Sequence, residues 1–551
     1  MHLNVLLLSN QIRGLDGTGG LGDVPVGLAK ELLARGDVDV RLAMPGYEEI
    51  SAEGEPLLRD RFDAGNLVVG GLEVPFGDGR VRVDVYRVTL PHSQPAVTCY
   101  LFRCPEVFDA PEPGSRRVDK NTADKAILFA RAALEFLRAH ADFRVDLIHC
   151  NDWHTGLAPV YLNTLYRHDH YLGRVASLYT THNCFGAAYQ GGFDPAAYGG
   201  LLRLAGLEGA EVFHGGTRSL FHDWRFNFTK GGLGFADLIN TVSRRYAKEL
   251  QSATFAGGLQ GVFQERRGAF TGVINGIDTA EWNPAGDPLL SGIHYSAADD
   301  PQQVREQKRK VRRLLRNWAI KGRHHRSGAW PFANLDDHSL LIGVVSRIDF
   351  QKSPILVRAM ERLCRLEGVQ IAMLGCAGHN DPLGLGFEES FRSQAAAAPD
   401  RLLFFDGFDI ELSHLLYAAS ELFLVPSSYE PCGLTQMVAM RYGAVPLVRE
   451  TGGLADTVTD ERDPERANAA TGYCFREPLA PNALLDEPRG ADALVNRVGE
   501  AVALYRRNPQ RWAQLLHNGM AEDWSWSIPS RQYVMLYQEA IRRALGRSYF
   551  G

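Results

Sequence analysis

Along the chain, short runs of aliphatic residues alternate with polar or glycine-rich turns and then with stretches of helical spacing. Leu3-Asn4-Val5-Leu6-Leu7-Leu8 is the first such run, short and β-prone enough to predict a buried strand. Val24, Leu28 and Leu32 then share one side of a helix that Gly36 ends. Strands are predicted again at Leu147–Cys150, Ser177–Thr181 and Leu238–Thr241, and a second series runs through Ser339–Val345, Val369–Gly375, Leu402–Phe405 and Leu422–Val425. Such alternation predicts parallel sheets covered on both faces by helices. Residues 50–120 differ, with turns and alternating segments such as Val81–Val85 that carry no assignable chemistry. The long helix near Ala123–His140 is most simply packing. Residues 305–326 are strongly basic, but Val311, Leu314, Leu315 and Trp318 recur at helical spacing, which predicts an amphipathic helix with a solvated basic face. Lys321–Asp337 reads as a surface loop, and Tyr533, Leu536, Tyr537 and Ile541 mark a closing helix.

A length of 551 residues exceeds what one hydrophobic core supports, so two α/β domains are expected. A formal charge of −6 gives no global field for gripping nucleic acid or an anionic membrane, and the expected partners are small or neutral. Eight scattered cysteines have neither metal-ligand spacing nor a dense disulfide pattern, which fits a reducing cytoplasm. The opening residues have no basic leader and an apolar run too short to span a membrane.

Candidate chemistry gathers where predicted strands end. Gly17-Thr18-Gly19-Gly20-Leu21-Gly22-Asp23 satisfies the dinucleotide fingerprint literally, but Ser9–Asp16 separate it from the strand and Asp39 opens the second strand rather than closing it, so a dehydrogenase fits poorly. The loop still lets backbone approach a diphosphate, and Asp23 meets a sugar hydroxyl or caps the helix. Asp152-Trp153-His154 and Thr181-His182-Asn183 close two further strands, where ligands bind in doubly wound sheets. Asp152 as a helix cap and Trp153 as core is the alternative there. Arg347 and Lys352, five residues apart at another strand end, suit a diphosphate, one through a planar fork and the other as a point charge. A plain surface pair is the alternative. Finally, Ser427-Ser428-Tyr429-Glu430-Pro431-Cys432-Gly433-Leu434-Thr435-Gln436 places a carboxylate on a turn between a strand and a short helix, a setting for hydroxyls and phosphates.

This decapeptide, its continuation Arg449–Val458 and the pattern Ser346-Arg347…Gln351-Lys352 closely resemble the bacterial glycogen synthase and starch synthase family, and the resemblance runs along nearly the whole chain. It implies a GT-B architecture: two Rossmann-like, doubly wound domains with an interdomain cleft, spanning 1–280 and 281–526, and a helix at 527–551 returning to the first. The implied reaction moves glucose from ADP-glucose to the non-reducing end of an α-1,4-glucan such as glycogen, with retention of configuration. No metal or cofactor is called for, because cations and helix ends can neutralise the departing diphosphate. Glu430, Arg347, Lys352 and His182 are the implied catalytic residues. Gly19, Gly20, Asp23, Asp152, Asn183, Asn275, Cys432, Gly433, Leu434 and Thr435 are the implied substrate contacts, and Lys230 lies near donor or acceptor or is simply solvated. Two departures stand out: Gly17 occupies the position of the family's donor-binding lysine, and Val438 that of its Tyr or His. They leave open a GT-B enzyme using another nucleotide sugar, such as UDP-glucose, or a glucan-binding pseudoenzyme.

Overall fold

A computed structural model describes residues 2–15, 20–48, 59–91, 93–110, 120–140, 142–186, 190–209, 212, 216–320, 339–479 and 483–547. The chain divides into two units, one formed by Met1–Gly276 with Trp526–Gly551 and the other by Ile277–Ser525. Predicted loop residues 321–337, and Gly17 and Gly19 of the first glycine loop, lie outside the described residues.

The first unit is built on β1 (Leu3–Leu8), β2 (Val38–Pro45), β3 (Leu67–Phe76), β4 (Gly79–Thr89), β5 (Thr98–Arg103), β6 (Leu147–Asn151), β7 (Ala176–Thr181), a small hairpin sheet of β8 (Gly192–Phe193), β9 (Phe221–His222) and β10 (Arg225–Asn227), then β11 (Leu238–Thr241) and β12 (Phe270–Gly272). Among the described residues the main sheet runs β12-β11-β7-β6-β1-β2-β5-β4-β3. Its core is parallel, and β3 and β4 extend it as an antiparallel meander, which accounts for the alternating Val81–Val85 pattern. β1 and β6 are almost wholly buried because helices cover both faces, hence their near-continuous apolar sequences. From β1 the chain pairs β2 on one side and β6 on the other, so the β1/β6 boundary is a topological switch point.

The last helix, Ser527–Arg547, belongs to this unit and seals it with a polar relay. Tyr537 Oη lies 3.1 Å from His149 Nδ1, His149 Nε2 lies 2.7 Å from Thr180 Oγ1, and Thr180 Oγ1 donates to Asn240 Oδ1 at 2.5 Å. Asn240 Nδ2 in turn donates to Tyr533 Oη at 3.3 Å. Since the threonine hydroxyl donates onward, Nε2 carries the imidazole proton and Nδ1 accepts from the tyrosine. Every polar group in this buried seam is matched only while His149 is neutral. Just before the helix, Trp526 beds against Gly27 so closely that a Cβ there falls 2.1 Å from the indole nitrogen.

The second unit is a parallel sheet of β13 (Leu340–Val345), β14 (Val369–Gly375), β15 (Leu402–Asp406), β16 (Leu422–Val425), β17 (Val445–Arg449) and β18 (Tyr473–Phe475), ordered β15-β14-β13-β16-β17-β18. The chain winds outward from β13 through β14 and β15, then returns to place β16 beside β13. The switch point of this unit therefore lies between β13 and β16.

The basic stretch forms the expected amphipathic helix, but two of its cations are not solvated. In Pro301–Ile320, Lys310 and Arg313 are exposed, but Lys308 and Arg312 are fully buried beside Val304, Val311 and Leu315. Positions 304, 308, 311, 312 and 315 form one helical stripe, and the two long stems carry their charges to backbone acceptors. Lys308 Nζ donates to the carbonyls of Ala418 and Tyr442, both at 3.0 Å, and Arg312 to those of Ser339 at 2.9 Å and Ala419 at 3.4 Å. Ala418 and Ala419 end the helix Ile410–Ala419, whose carbonyl terminus is a natural seat for cations. Burial pulls the Lys308 ammonium down to about 7. Among the described residues no helix is long and apolar enough to cross a membrane.

Burial holds His149 and His154 down to about 3, below the ordinary 6.5. The unfolded chain thus takes up protons below 6.5 that the native protein refuses, so this contribution is complete above 6.5 and is lost as pH falls toward 3. Thermal unfolding followed from pH 7 to 4.5 is expected to show a falling midpoint. His149→Gln is expected to flatten that slope, each fully mismatched proton being worth about 1.4 kcal/mol per pH unit; identical slopes in the two proteins rule this account out.

Candidate functional site

Two loops meet at the switch point of the second unit, one leaving β13 and one leaving β16. Glu430, on the second loop, is only 6% exposed, and its buried carboxylate is compensated from three directions. Lys352 Nζ forms an ion pair with Oε2, Ser427 Oγ donates to the same oxygen at 2.9 Å, and Gln351 Nε2 donates to Oε1 at 3.4 Å. Gln351 also donates to the Tyr429 carbonyl at 3.1 Å, and its own carbonyl accepts from Ser428 N at 2.7 Å. Arg347 stands at the mouth, its side chain 65% exposed, 3.3 Å from Asp349 and 3.4 Å from Gln351 Oε1. Glu430, Lys352 and Arg347 therefore belong to one cluster built on two adjacent strands.

The turn that presents Glu430 depends on close backbone packing. Gly433 has φ +75, and Gly452 has φ +44 with room for no side chain, since a Cβ there sits 1.9 Å from the Glu430 carbonyl. That carbonyl accepts from Gly453 N at 2.9 Å. Cys432 is buried, Leu434 precedes the short helix Thr435–Arg441, and the Thr435 hydroxyl bonds Tyr417. Val438 lies within this helix and is buried.

Sequence reasoning assigned no role to Arg449, which the structure places beneath this turn. Its guanidinium is buried and grips both oxygens of Glu477, at 2.6 to 3.1 Å, while Nη1 donates to the Ser428 carbonyl two residues before Glu430. A buried bidentate pair has a fixed geometry, so it sets the height of the turn.

In the first unit the residues cluster at the β1/β6 switch point. Asn151 Nδ2 donates to the Leu8 carbonyl at 3.1 Å, which leaves its Oδ1 to accept from His182 Nε2 at 2.8 Å. The imidazole therefore carries its hydrogen on Nε2 and a lone pair on Nδ1. Burial pulls His182 down to about 4, so it is neutral at ordinary pH. Asp152 nominally precedes a short helical turn, yet its carboxylate caps the neighbouring strand end instead, accepting from His182 N at 2.6 Å and from the Asn183 backbone. Its backbone is left-handed, with φ 54, a conformation that costs a non-glycine residue about 1–3 kcal/mol. Burial pushes its carboxyl up to about 7, the two N–H groups working against that rise.

The remaining predicted residues divide by environment. Asn183 Oδ1 accepts from Phe185 N at 3.0 Å. Asn275 is buried with its Oδ1 unpartnered, an exception among buried polar atoms. Gly20 opens the helix Gly20–Arg35, and Asp23 in its first turn pairs with Arg13 at 2.8 Å. Trp153 is core, packed on Phe193 and Phe228, and His154 stacks on it while bonding Asn121 at 3.1 Å. Lys230 is tied to the Phe221 carbonyl at 2.7 Å rather than solvated. Among the described residues no cluster of His, Cys, Asp and Glu is arranged to hold a metal ion.

Comparison with known proteins adds the family. The profile of the starch synthase catalytic domain matches residues 4–265, and that of glycosyl transferases group 1 matches residues 331–487. A glycogen synthase of Thermotoga maritima is 33% identical over 98% of this chain and 99% of its own length. Glycogen synthase 1 of Methylococcus capsulatus is 35% identical, covering 98% and 97% respectively. Among solved structures, the catalytic domain of starch synthase IV from Arabidopsis thaliana, bound to ADP and acarbose, superposes with a TM-score of 0.78 at 27% identity, over 98% of this chain and 100% of that one. Similarity of this extent over both units, with the GT-B fold, means that the chain belongs to the glycogen and starch synthase family of glycosyltransferases.

Proposed function

We propose that this glycosyltransferase moves glucose from ADP-glucose to the non-reducing end of an α-1,4-glucan such as glycogen, with retention, in the cytoplasm. The observation that carries the reading is the cluster of Glu430, Lys352, Gln351 and Arg347 at the switch point of the second unit. A starch synthase of the same fold binds ADP, and all eight cysteines here are free thiols, in keeping with a reducing compartment.

In the structure Lys352 pairs with Glu430. A bound nucleotide sugar offers each a better-matched partner: the diphosphate takes Lys352 together with Arg347, and the sugar hydroxyls take Glu430. As the bond to the diphosphate breaks, negative charge grows on the phosphate and positive charge at the anomeric carbon. The two cations stabilise the first and the carboxylate the second, which is where preorganised charge lowers a barrier. Asp349 contacts Arg347 and accepts from the Lys352 backbone N–H. Retention is assigned, as the family resemblance implies, to a same-face route in which the leaving phosphate takes the acceptor proton. The backbone of Cys432, Gly433, Leu434 and Thr435 lines the turn for hydroxyl and phosphate contacts.

His182, neutral and oriented by Asn151, offers its Nδ1 lone pair as an acceptor for a glucose hydroxyl. Asp152 holds the backbone of His182 and Asn183, and Asn275 contributes its unpartnered oxygen. By resemblance, Gly19, Gly20 and Asp23 belong to a donor-binding sequence motif, in which Gly17 stands for the lysine of other family members and removes one positive charge.

Nucleotide release from ADP-glucose and UDP-glucose, with glycogen as acceptor, tests the assignment. Turnover is expected with ADP-glucose, and Glu430→Ala, Lys352→Ala and Arg347→Ala are each expected to lower kcat by roughly 10²–10³-fold; wild-type rates in Glu430→Ala exclude that carboxylate from the mechanism. Asp152 ionises near 7 and binds backbone N–H groups better as an anion, so kcat/KM is expected to rise with pH through about 7. In Asp152→Asn that acidic limb is expected to vanish with an overall loss of rate, and an unchanged limb assigns it to another group.

A further inference from the structure

At the tip of a hairpin in the first unit an indole stands almost wholly in solvent. β9 and β10 pair antiparallel, Arg225 opposite His222 and Phe226 opposite Phe221, leaving Asp223 and Trp224 as a two-residue turn. Both have left-handed backbones, φ 47 and 62, the pair of positive angles that a tight hairpin turn demands. Asp suits the first position. The second strongly favours glycine, and a bulky residue there is a conformational outlier. Trp224 is nevertheless 94% exposed, so no packing offsets its strain. A costly backbone carrying a large apolar ring into water points to use rather than to folding.

The root of the hairpin is fixed. Phe226 is fully buried, 5.9 Å from Phe221 and 5.1 Å from Phe228 between ring centres. His222 Nε2 bonds the Gly257 carbonyl at 3.1 Å, Lys230 Nζ the Phe221 carbonyl at 2.7 Å, and Arg225 Nη1 the Gly192 carbonyl at 3.2 Å. The exposed carboxylate of Asp223 and the exposed Arg225 flank the ring. A rigid apolar plate between hydrogen-bonding groups of both signs matches a glucopyranose, whose C–H face is apolar and whose rim is hydroxylated.

We propose that Trp224 is a docking platform for the α-glucan polymer, stacking on a glucosyl unit of the chain and holding it through residues that take no part in bond making. The inference rests on the proposed acceptor and deepens it. Because Asp-Gly is a preferred sequence for this turn, Trp224→Gly removes the indole without harming the hairpin. Glycogen retention in affinity electrophoresis, without any nucleotide sugar, should be compared for wild type, Trp224→Phe and Trp224→Gly, alongside ADP-glucose kinetics on glycogen and maltotriose. Trp224→Gly is expected to melt no lower than wild type, keep kcat and the KM for maltotriose, lose glycogen retention and raise KM for glycogen about three- to tenfold, with Trp224→Phe between. Equal retention of all three proteins overturns the proposal, as does a change in oligomeric mass in Trp224→Gly, which would show a second copy covering the ring. A wild type that transfers no glucose refutes the proposed reaction, and the retention comparison then still decides the role of Trp224.

Discussion

A carboxylate removed from water at the end of a parallel strand has to be met by positive charge and hydrogen bonds, and the second unit is arranged to do that for Glu430. Lys352, Gln351 and Ser427 converge on its two oxygens, and they come from loops that leave adjacent strands. Adjacency of β13 and β16 follows from the reversal of winding direction, so this charged cluster sits at the topological switch point of the sheet. Beneath the turn, Arg449 spans Glu477 and the Ser428 carbonyl. The charged groups at the surface of the site are thus supported by another charged pair that never reaches it.

The first unit solves the converse problem, keeping polar groups buried without charge. His149 and His182 are both neutral, and for each a neighbouring amide or hydroxyl fixes which nitrogen bears the hydrogen. Asp152 accepts a strained backbone in order to bridge the ends of β6 and β7. The strain is local, and it sets the backbone of His182 and Asn183 in place.

Much of this was legible in the residues. Aliphatic runs ending in polar groups located the strands and the strand ends where the candidate residues gather, because a doubly wound sheet buries both faces and leaves strand ends for ligands. The Glu430 turn and the Arg347–Lys352 spacing were readable for the same reason. In the basic helix only the burial of two cations was missed, because Lys308 and Arg312 find carbonyl partners more than a hundred residues away, which local spacing does not reveal. Arg449–Glu477 was invisible for a related reason, since its partners come together only in the fold. At Asp152 the sequence left a cap or a pocket wall, and the carboxylate instead holds a neighbouring strand end, a choice decided by tertiary contact rather than local propensity.

The division of the chain also bears on how it is made. The second unit is one uninterrupted segment, Ile277–Ser525, whereas the first needs the closing helix, whose Tyr533 and Tyr537 complete the relay through His149. On the ribosome, the portion translated first must therefore wait, its histidine seam unsealed, until the helix Ser527–Arg547 has emerged, while the segment between can close beforehand. Expression of residues 1–276 alone would preserve that waiting state rather than yield a finished lobe.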